Sequence, residues 1–407
     1  MVLAASGLTA VATVIVTVVA ARVLSPDDNA KFLVFWSLLF GIFQVMSGTQ
    51  NEATRAASSV VESGVQGGGA RIIWMPLILS CGALGVGVIL ALADRWLLGN
   101  HVLAGMAPLV VAVSVIVIIS YSCHLTLVGA LAGNHAWVPM AGLGAAESTI
   151  RLVAVLSVGL AVGGLVPLEL AAALPAFTWV LLAAVLPPVR RAVTARADVG
   201  LARLLRNGAL AMATAGAGAV LVNGFPFITR LALGDHVAAV SLASLLLAIQ
   251  LTRAPLMIPL MAFQGVVISA FVAHKASVGG LVKQLSIVAG GGVIMAVVMA
   301  AVGPFVMRIL YGAQYALPRL ALGALTCAAI SLALLTLTGA ATLAISAHRA
   351  YLVGWWTGAA VTVGLLFLLT LPAPWRVAAA VFCGPLIGVV VHLVAIARSQ
   401  EAAAETK

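Results

Sequence analysis

The chain has 407 residues, 63% of them hydrophobic and only 8% charged, with a formal net charge of +10. Soluble domains carry roughly 25% charged residues, so this composition excludes cytosolic enzymes, DNA-binding proteins and single-anchor proteins. About 20 apolar residues cross a bilayer, so roughly a dozen spans fit, joined by short loops with no room for a large soluble domain.

In chain order, the apolar runs predict helices at about 2–21, 32–58, 72–93, 102–131, 137–162, 167–188, 208–231, 236–273, 284–306, 318–346, 350–371 and 376–398. The first run lacks a basic leader and is long enough to span, so it reads as a retained helix, not a signal peptide. Cys81, Cys123, Cys327 and Cys383 each sit inside an apolar run with no CxxC spacing. They read as small buried apolar residues, and neither a disulfide nor a metal is expected.

Residues 189–207 interrupt the pattern, with Arg190, Arg191, Arg196, Arg203 and Arg206 against the single acid Asp198. Val193, Val199, Leu201, Leu204 and Leu205 interleave with them. The segment is either an amphipathic helix on an anionic membrane surface or a cytoplasmic linker; both readings place it inside the cell. With the N-terminus inside, the inner loops and ends also hold Arg55, Arg71, Lys275, Lys283, Arg349, Arg398 and Lys407. The outer loops hold Arg22, Lys31, Arg95, Arg230, Arg308, Arg319 and Arg376. The inward excess predicts a multi-pass protein of the cytoplasmic membrane with both termini cytoplasmic, and it explains the positive charge without a nucleic-acid partner.

The chain repeats itself. Arg22 to Ala30 aligns with Arg230 to Ala238, and His135-Ala136-Trp137 echoes Arg349-Ala350-Tyr351, at equivalent loops after helices 1 and 7 and after helices 4 and 10. The expected architecture is an all-α polytopic membrane protein with two six-helix lobes related by pseudo-two-fold symmetry around a central cavity. The lobes would comprise residues 1–188 and 208–398, separated by the basic linker 189–207 and followed by a cytoplasmic tail, 399–407.

The segment Ala21-Arg-Val-Leu-Ser-Pro-Asp-Asp-Asn-Ala-Lys-Phe32 resembles the first outer turn of bacterial polysaccharide flippases, members of the multidrug/oligosaccharidyl-lipid/polysaccharide exporter superfamily. Asn223 to Arg230, continued by Arg253 to Pro259, is similar to the seventh and eighth helices of that family, and Leu310 to Tyr315 to its turn before helix ten. The likeness is patchy but follows the whole chain in order. Ala30 stands where the family has glycine, and the basic N-terminal tail is missing.

The resemblance implies a non-enzymatic flippase, without cofactors, that moves an undecaprenyl- or decaprenyl-(pyro)phosphate-linked saccharide by alternating access for cell-envelope assembly. It implies membrane lipids and the lipid-linked saccharide as partners, an H+ or Na+ gradient as energy source, and envelope glycosyltransferases or a polymerase nearby. The Ala/Val/Gly-rich composition, with 17 Arg against 4 Lys, suggests a GC-rich genome and an actinobacterial envelope.

A sugar-diphosphate head is anionic, so cations within the spans are the first candidates for substrate binding. Arg253 lies mid-helix beside Pro255 and Pro259, with Gln250 three residues earlier on the same face. The prolines are expected to kink the helix and free backbone carbonyls. Glu147 and Arg151 share a face at i, i+4: either a structural ion pair, or a phosphate-binding arginine beside a carboxylate that exchanges protons or sodium. Glu52 and Arg55 end the second helix as a coupling acid and a substrate-binding cation, or as a solvated helix end. Arg22 and Arg230 take equivalent outer positions, suited to snorkelling or to the released head group. His124 reads as an interior hydrogen-bonded residue or a proton relay, and Asn223 as a packing group. Gly290-Gly291-Gly292 lies inside an apolar span without a following Lys-Ser/Thr, which suits close helix packing and not a phosphate loop.

Two other functions remain in view. A drug/cation antiporter of the same superfamily normally needs buried acids in the first lobe, and the first helix has none. A polytopic glycosyltransferase using polyprenyl-phosphate sugars would draw its carboxylate from Asp27-Asp28, but it needs long outer loops, and Asp27 fits a helix-start cap. The loop Ser58–Arg71 also lacks the D-R-x-G-R-type signature of the major facilitator group.

Overall fold

The computed structural model describes residues 2–63, 68–93, 106–234, 237–273, 278–345 and 347–405. Arg95, Asp235, His236, Lys275 and Lys407 lie outside the described residues, as does the side chain of Pro259. The protein is all-helical. Among the described residues, ten helices are long and apolar enough to cross a membrane, and two shorter apolar helices, Gly7–Val23 and Trp74–Ile89, accompany them.

The chain divides into two compact units, Met1–Phe227 and Ile228–Lys407. The first contains α1 (Val2–Val23), α2 (Pro26–Ser63), α3 (Trp74–Ala93), α4 (Pro108–Gly133), α5 (Trp137–Ala161), α6 (Leu165–Ala173), α7 (Thr178–Val185), α8 (Pro187–Val193) and α9 (Leu201–Leu221). The short α10 (Phe225–Leu233) carries the chain from one unit into the next. The second unit contains α11 (Ala239–Ala273), α12 (Val278–Tyr311), α13 (Arg319–Ala344), α14 (His348–Leu368) and α15 (Ala373–Glu405).

Local chemistry sets the boundaries. Ser25 caps α2: its hydroxyl accepts the Asp28 N–H at 3.2 Å and donates to the Asp28 carboxylate at 3.1 Å, with Pro26 opening the helix. The cap is therefore Ser25, while Asp27 and Asp28 fill the first turn, where negative charge suits the helix dipole. Between α5 and α6 the backbone turns through Gly163 and Gly164 at φ +67° and +84°, left-handed angles that only glycine adopts without strain.

Three expected elements differ. The run 167–188 is cut by a tight 3₁₀ turn, Leu174–Phe177, where Pro175 removes a backbone donor. The run 208–231 is two helices, broken at Val222–Gly224. Ser37 bridges the break: its hydroxyl donates to the Asn223 carbonyl at 2.7 Å and accepts the Phe227 N–H at 2.9 Å. Asn223-Gly-Phe-Pro226 is a turn signature, and it breaks the helix despite the apolar run around it.

The basic segment 189–207 forms neither a surface amphipathic helix nor a bare linker. It comprises the end of α8, an extended stretch that pairs with residues 70–72, and the start of α9. Ala70 and Ile72 donate to the carbonyls of Val199 and Ala195, and Ala197 donates back to Ala70. Val189, Ala192, Ala197 and Leu204 are buried, Val193, Val199 and Leu205 are half-buried, and Leu201 is exposed, so only part of the segment's apolar surface turns into the protein.

In the first unit, α2 packs along both α4 and α9. Close helix approach needs glycine here. A Cβ on Gly48 would stand 2.2 Å from the Met212 nitrogen, and one on Gly129 would stand 2.2 Å from the Gln50 carbonyl. A run of rings, Phe32, Trp36, Phe40, Phe43, Tyr121 and His124, links α2 to α4 with centroid separations of 3.8–5.9 Å. In the second unit, α13, α14 and α15 pack mutually, and His392 ties them together through the Thr338 hydroxyl at 3.0 Å and the Tyr351 carbonyl at 3.2 Å.

Two smaller readings change. Gly292 is packed against Ile330, but Gly290 and Gly291 face open space, so only one of the three serves close packing. Cys123 is buried, whereas Cys81 and Cys383 lie exposed on helix surfaces.

Candidate functional site

The charged residues of the first unit form separate networks. At one end of α2, Arg55 grips Glu52 with Nε and Nη2 at 2.8 and 2.7 Å, and grips Asp198 with Nη1 and Nη2 at 3.0 and 3.1 Å. Asn207 of α9 donates to the same Glu52 oxygen that Nη2 holds, at 3.1 Å. Bidentate pairing suits the planar guanidinium and fixes it in place. One arginine thus holds α2 to the 195–199 stretch, and Glu52, 5% exposed, anchors α9. Asp198 and Asn207 were not legible as partners, because more than 140 residues separate them from α2 in sequence.

The second network is sealed. Glu147 and Arg151 of α5 form an ion pair with side-chain exposures of 4% and 7%. Arg151 also donates Nε to the Ala172 carbonyl of α6 at 2.9 Å, and its guanidinium sits 4.8 Å above the Phe40 ring. Ser148, beside Glu147, meets Thr9 of α1 at 2.8 Å. His124 is buried with its ring stacked on Tyr121, and its Nδ1 makes no hydrogen bond among the described residues.

At the opposite end of α2, Lys31 pairs with Asp27 at 2.6 Å and with Asp28 at 3.7 Å. Arg22, in the last turn of α1, is exposed. Arg230 donates to the Gly234 carbonyl, and Arg376 reaches the Ala232 carbonyl at 3.4 Å, so both close the C-terminal end of α10. Arg22 and Arg230, which align in the sequence repeat, therefore have different surroundings.

In the second unit, Arg253 is buried within α11, 9% exposed, with Gln250 half-buried on the same face. The helix runs on through Pro255 and Pro259, and the Thr252 hydroxyl donates back to the Ala248 carbonyl at 2.8 Å. One buried acid escaped the sequence reading. Glu169 of α6 is 1% exposed, and its Oε2 has no hydrogen-bond partner among the described residues. It lies two residues inside the expected helix 167–188, where an acid reads as a helix end.

This chain is 35% identical over 399 residues to the uncharacterized protein Rv3630 of Mycobacterium tuberculosis, covering 98% of this chain and 91% of that protein. It is 33% identical to Rv1510 of the same organism, covering 97% and 90%. The chain belongs to the family of these mycobacterial proteins. No family model matches it. Among solved structures, it is similar to the lipid II flippase MurJ in an inward closed conformation (TM-score 0.69, 13% identity, 96% of this chain and 86% of that one). It is also similar to an inward-facing multidrug resistance MATE family transporter of the MOP superfamily (TM-score 0.66, 14% identity, 98% and 96%). The fold is that of MOP superfamily transporters, in a multi-pass membrane protein.

Proposed function

We propose that the protein translocates a polyprenyl-(pyro)phosphate-linked saccharide across the cytoplasmic membrane, by alternating access between lobes 1–188 and 208–398. The observation that carries this reading is Arg253, a cation buried in an otherwise apolar span of a fold shared with a lipid II flippase. A charge in a membrane span is costly and is retained where an anion or a polar path uses it. No bond is broken in such a step, so what is required of the protein is a cationic path for the head group while the isoprenoid stays in lipid.

In this reading Arg253 and Gln250 contact the phosphate, Arg151 gives a second cationic position, and Arg55 and Arg22 line the inner and outer approaches. Arg55 is already neutralised by Glu52 and Asp198, so it is the weaker of the inner candidates. The test is headgroup translocation in reconstituted vesicles with polyprenyl-linked sugars. Arg253→Ala is expected to abolish translocation while the protein stays folded, and unchanged flipping in this variant would remove the proposal. The superfamily's drug/cation antiporters share the fold, and proton-driven drug efflux by the same vesicles would favour that alternative.

A further inference from the structure

The extended stretch between α8 and α9 brings two arginines face to face. The Ile72 N–H donates to the Ala195 carbonyl at 2.9 Å, and the Ala197 N–H donates to the Ala70 carbonyl at 2.8 Å. These bonds flank Arg71 and Arg196, which oppose each other as the non-hydrogen-bonded pair of an antiparallel bridge. In such a pair the α-carbons stand about 4.5 Å apart and the side chains leave side by side on one face. Ile72, Ala195 and Ala197 turn the other way, into an apolar cluster with Ala53, Ala56 and Met75. Arg71 and Arg196 therefore point outward together, and both are exposed.

Like charges directly opposite across a bridge are destabilising. The protein does not answer them among the described residues. Asp198 lies on the same face, two residues beyond Arg196, but Arg55 holds its two oxygens at 3.0 and 3.1 Å. Arg196 turns Nη1 to the Gly69 carbonyl at 3.2 Å, which is no counter-charge. Arg190 and Arg191 at the end of α8, and Arg203 and Arg206 in the first turns of α9, are exposed nearby in the chain and add to the positive field. Two adjacent guanidinium forks match the oxygens of a phosphate.

The setting is that of a lipid headgroup. Trp74 opens α3 three residues beyond Arg71, and Leu201 opens α9 five residues beyond Arg196; both are exposed. The two apolar helices pack on each other, with Gly208 of α9 against Met75 and Leu79 of α3. An exposed tryptophan at the start of an apolar helix suits the interface between headgroups and acyl chains. We propose that the Arg71–Arg196 pair is a binding site for an anionic phospholipid of the bilayer. Its phosphate joins the two like charges, and its acyl chains lie along the starts of α3 and α9. The lipid thereby clamps residues 70–72 to the 195–199 stretch. This site is separate from any transported head group and does not rest on the flippase reading.

The experiment reads tryptophan fluorescence of the purified full-length protein in phosphatidylcholine nanodiscs. These carry acyl-chain-brominated phosphatidylglycerol or, at equal mole fraction, brominated phosphatidylcholine. Wild type is expected to be quenched more strongly by the anionic lipid, and Trp74→Phe should lose most of that difference. Arg71→Gln combined with Arg196→Gln should abolish it, whereas Arg190→Gln combined with Arg191→Gln, an equal loss of charge, should keep it. In lipid-free detergent the Arg71/Arg196 double variant should unfold at or above the wild-type temperature, since the repulsion is gone. Added phosphatidylglycerol should then raise the unfolding temperature of wild type alone. Equal quenching by the two lipids in wild type overturns the proposal, as does a difference that survives Trp74→Phe. Equal loss in both double variants overturns it in favour of diffuse surface charge. A double variant less stable than wild type without lipid overturns it in favour of a structural role for the pair. Reversal of the lipid effect by inorganic phosphate, but not by chloride at equal ionic strength, overturns it in favour of a free-phosphate site. No transported substrate enters these measurements, so either reading can fail while the other stands.

Discussion

Glu147–Arg151 on α5 and Glu52–Arg55 on α2 are nearly the same motif, an acid followed by arginine at i+4 or i+3, yet they sit in opposite surroundings. Both members of the α5 pair are sealed, whereas Arg55 leaves 42% of its side chain exposed and shares itself between two acids. The difference teaches that spacing finds an ion pair and burial decides what breaking it costs. In a sealed site the surviving partner is an uncompensated charge; at a half-open site water and a second acid take up the loss.

The largest expected effect follows directly. Glu147→Ala strands Arg151 among Phe40, the Ala172 carbonyl and apolar helix, and should destabilise the protein by about 3–5 kcal/mol. Thermal unfolding in detergent measures it. The double variant Glu147→Leu with Arg151→Met removes both charges at similar volume and should recover most of that loss. If the double variant were as unstable as the single one, the stranded charge would not be the cause. If it folds but fails to transport, Arg151 has a role in the cycle beyond holding the lobe together.

Arg55→Ala should cost less, about 1–2 kcal/mol, because Glu52 keeps its hydrogen bond from Asn207 and Asp198 is already 24% exposed. The same variant separates the two readings of Arg55. A pure anchor loses stability in step with activity, whereas a substrate-contacting arginine loses headgroup translocation at temperatures where the variant is fully folded. A loss above 3 kcal/mol would show that Glu52 depends on Arg55 as heavily as Arg151 depends on Glu147, and the contrast between the two sites would fail.

The fold was largely legible because apolar runs of bilayer length are hard to disguise, and α5 and α13 fall within two residues of their expected bounds. The breaks were not. Pro175 and the Asn223-Gly-Phe-Pro226 turn sit within apolar stretches whose hydropathy stays high, so composition outweighed the local signal, and Ser37 is brought to the second break only by tertiary packing. The same limit governs the charged groups. Pairs within one helix, Glu147–Arg151 and Glu52–Arg55, were visible from spacing, while Asp198 and Asn207 depend on packing between distant segments. Glu169 was hidden for another reason: a carboxylate near a helix start usually faces water, and only burial shows that this one does not.

A third acid–base set completes the series and gives its smallest effects. Lys31 pairs with Asp27 across one turn of α2, with side-chain exposures of 43% and 61%, and the same turn is capped by Ser25. Ser25→Ala leaves the Asp28 N–H without its side-chain acceptor and should cost about 1 kcal/mol. Lys31→Ala should cost less than about 0.5 kcal/mol, because an exposed pair exchanges one hydrated arrangement for another. Salt makes the distinction sharper. Raising ionic strength to about 1 M shortens the screening length to roughly 3 Å, so the Lys31 effect should vanish while the Glu147 penalty stays nearly unchanged. A Lys31 effect that survives salt would mean that Asp27 and Asp28 are held in a less watery setting than their exposure implies, and the ranking by burial would need a different cause at this end of α2.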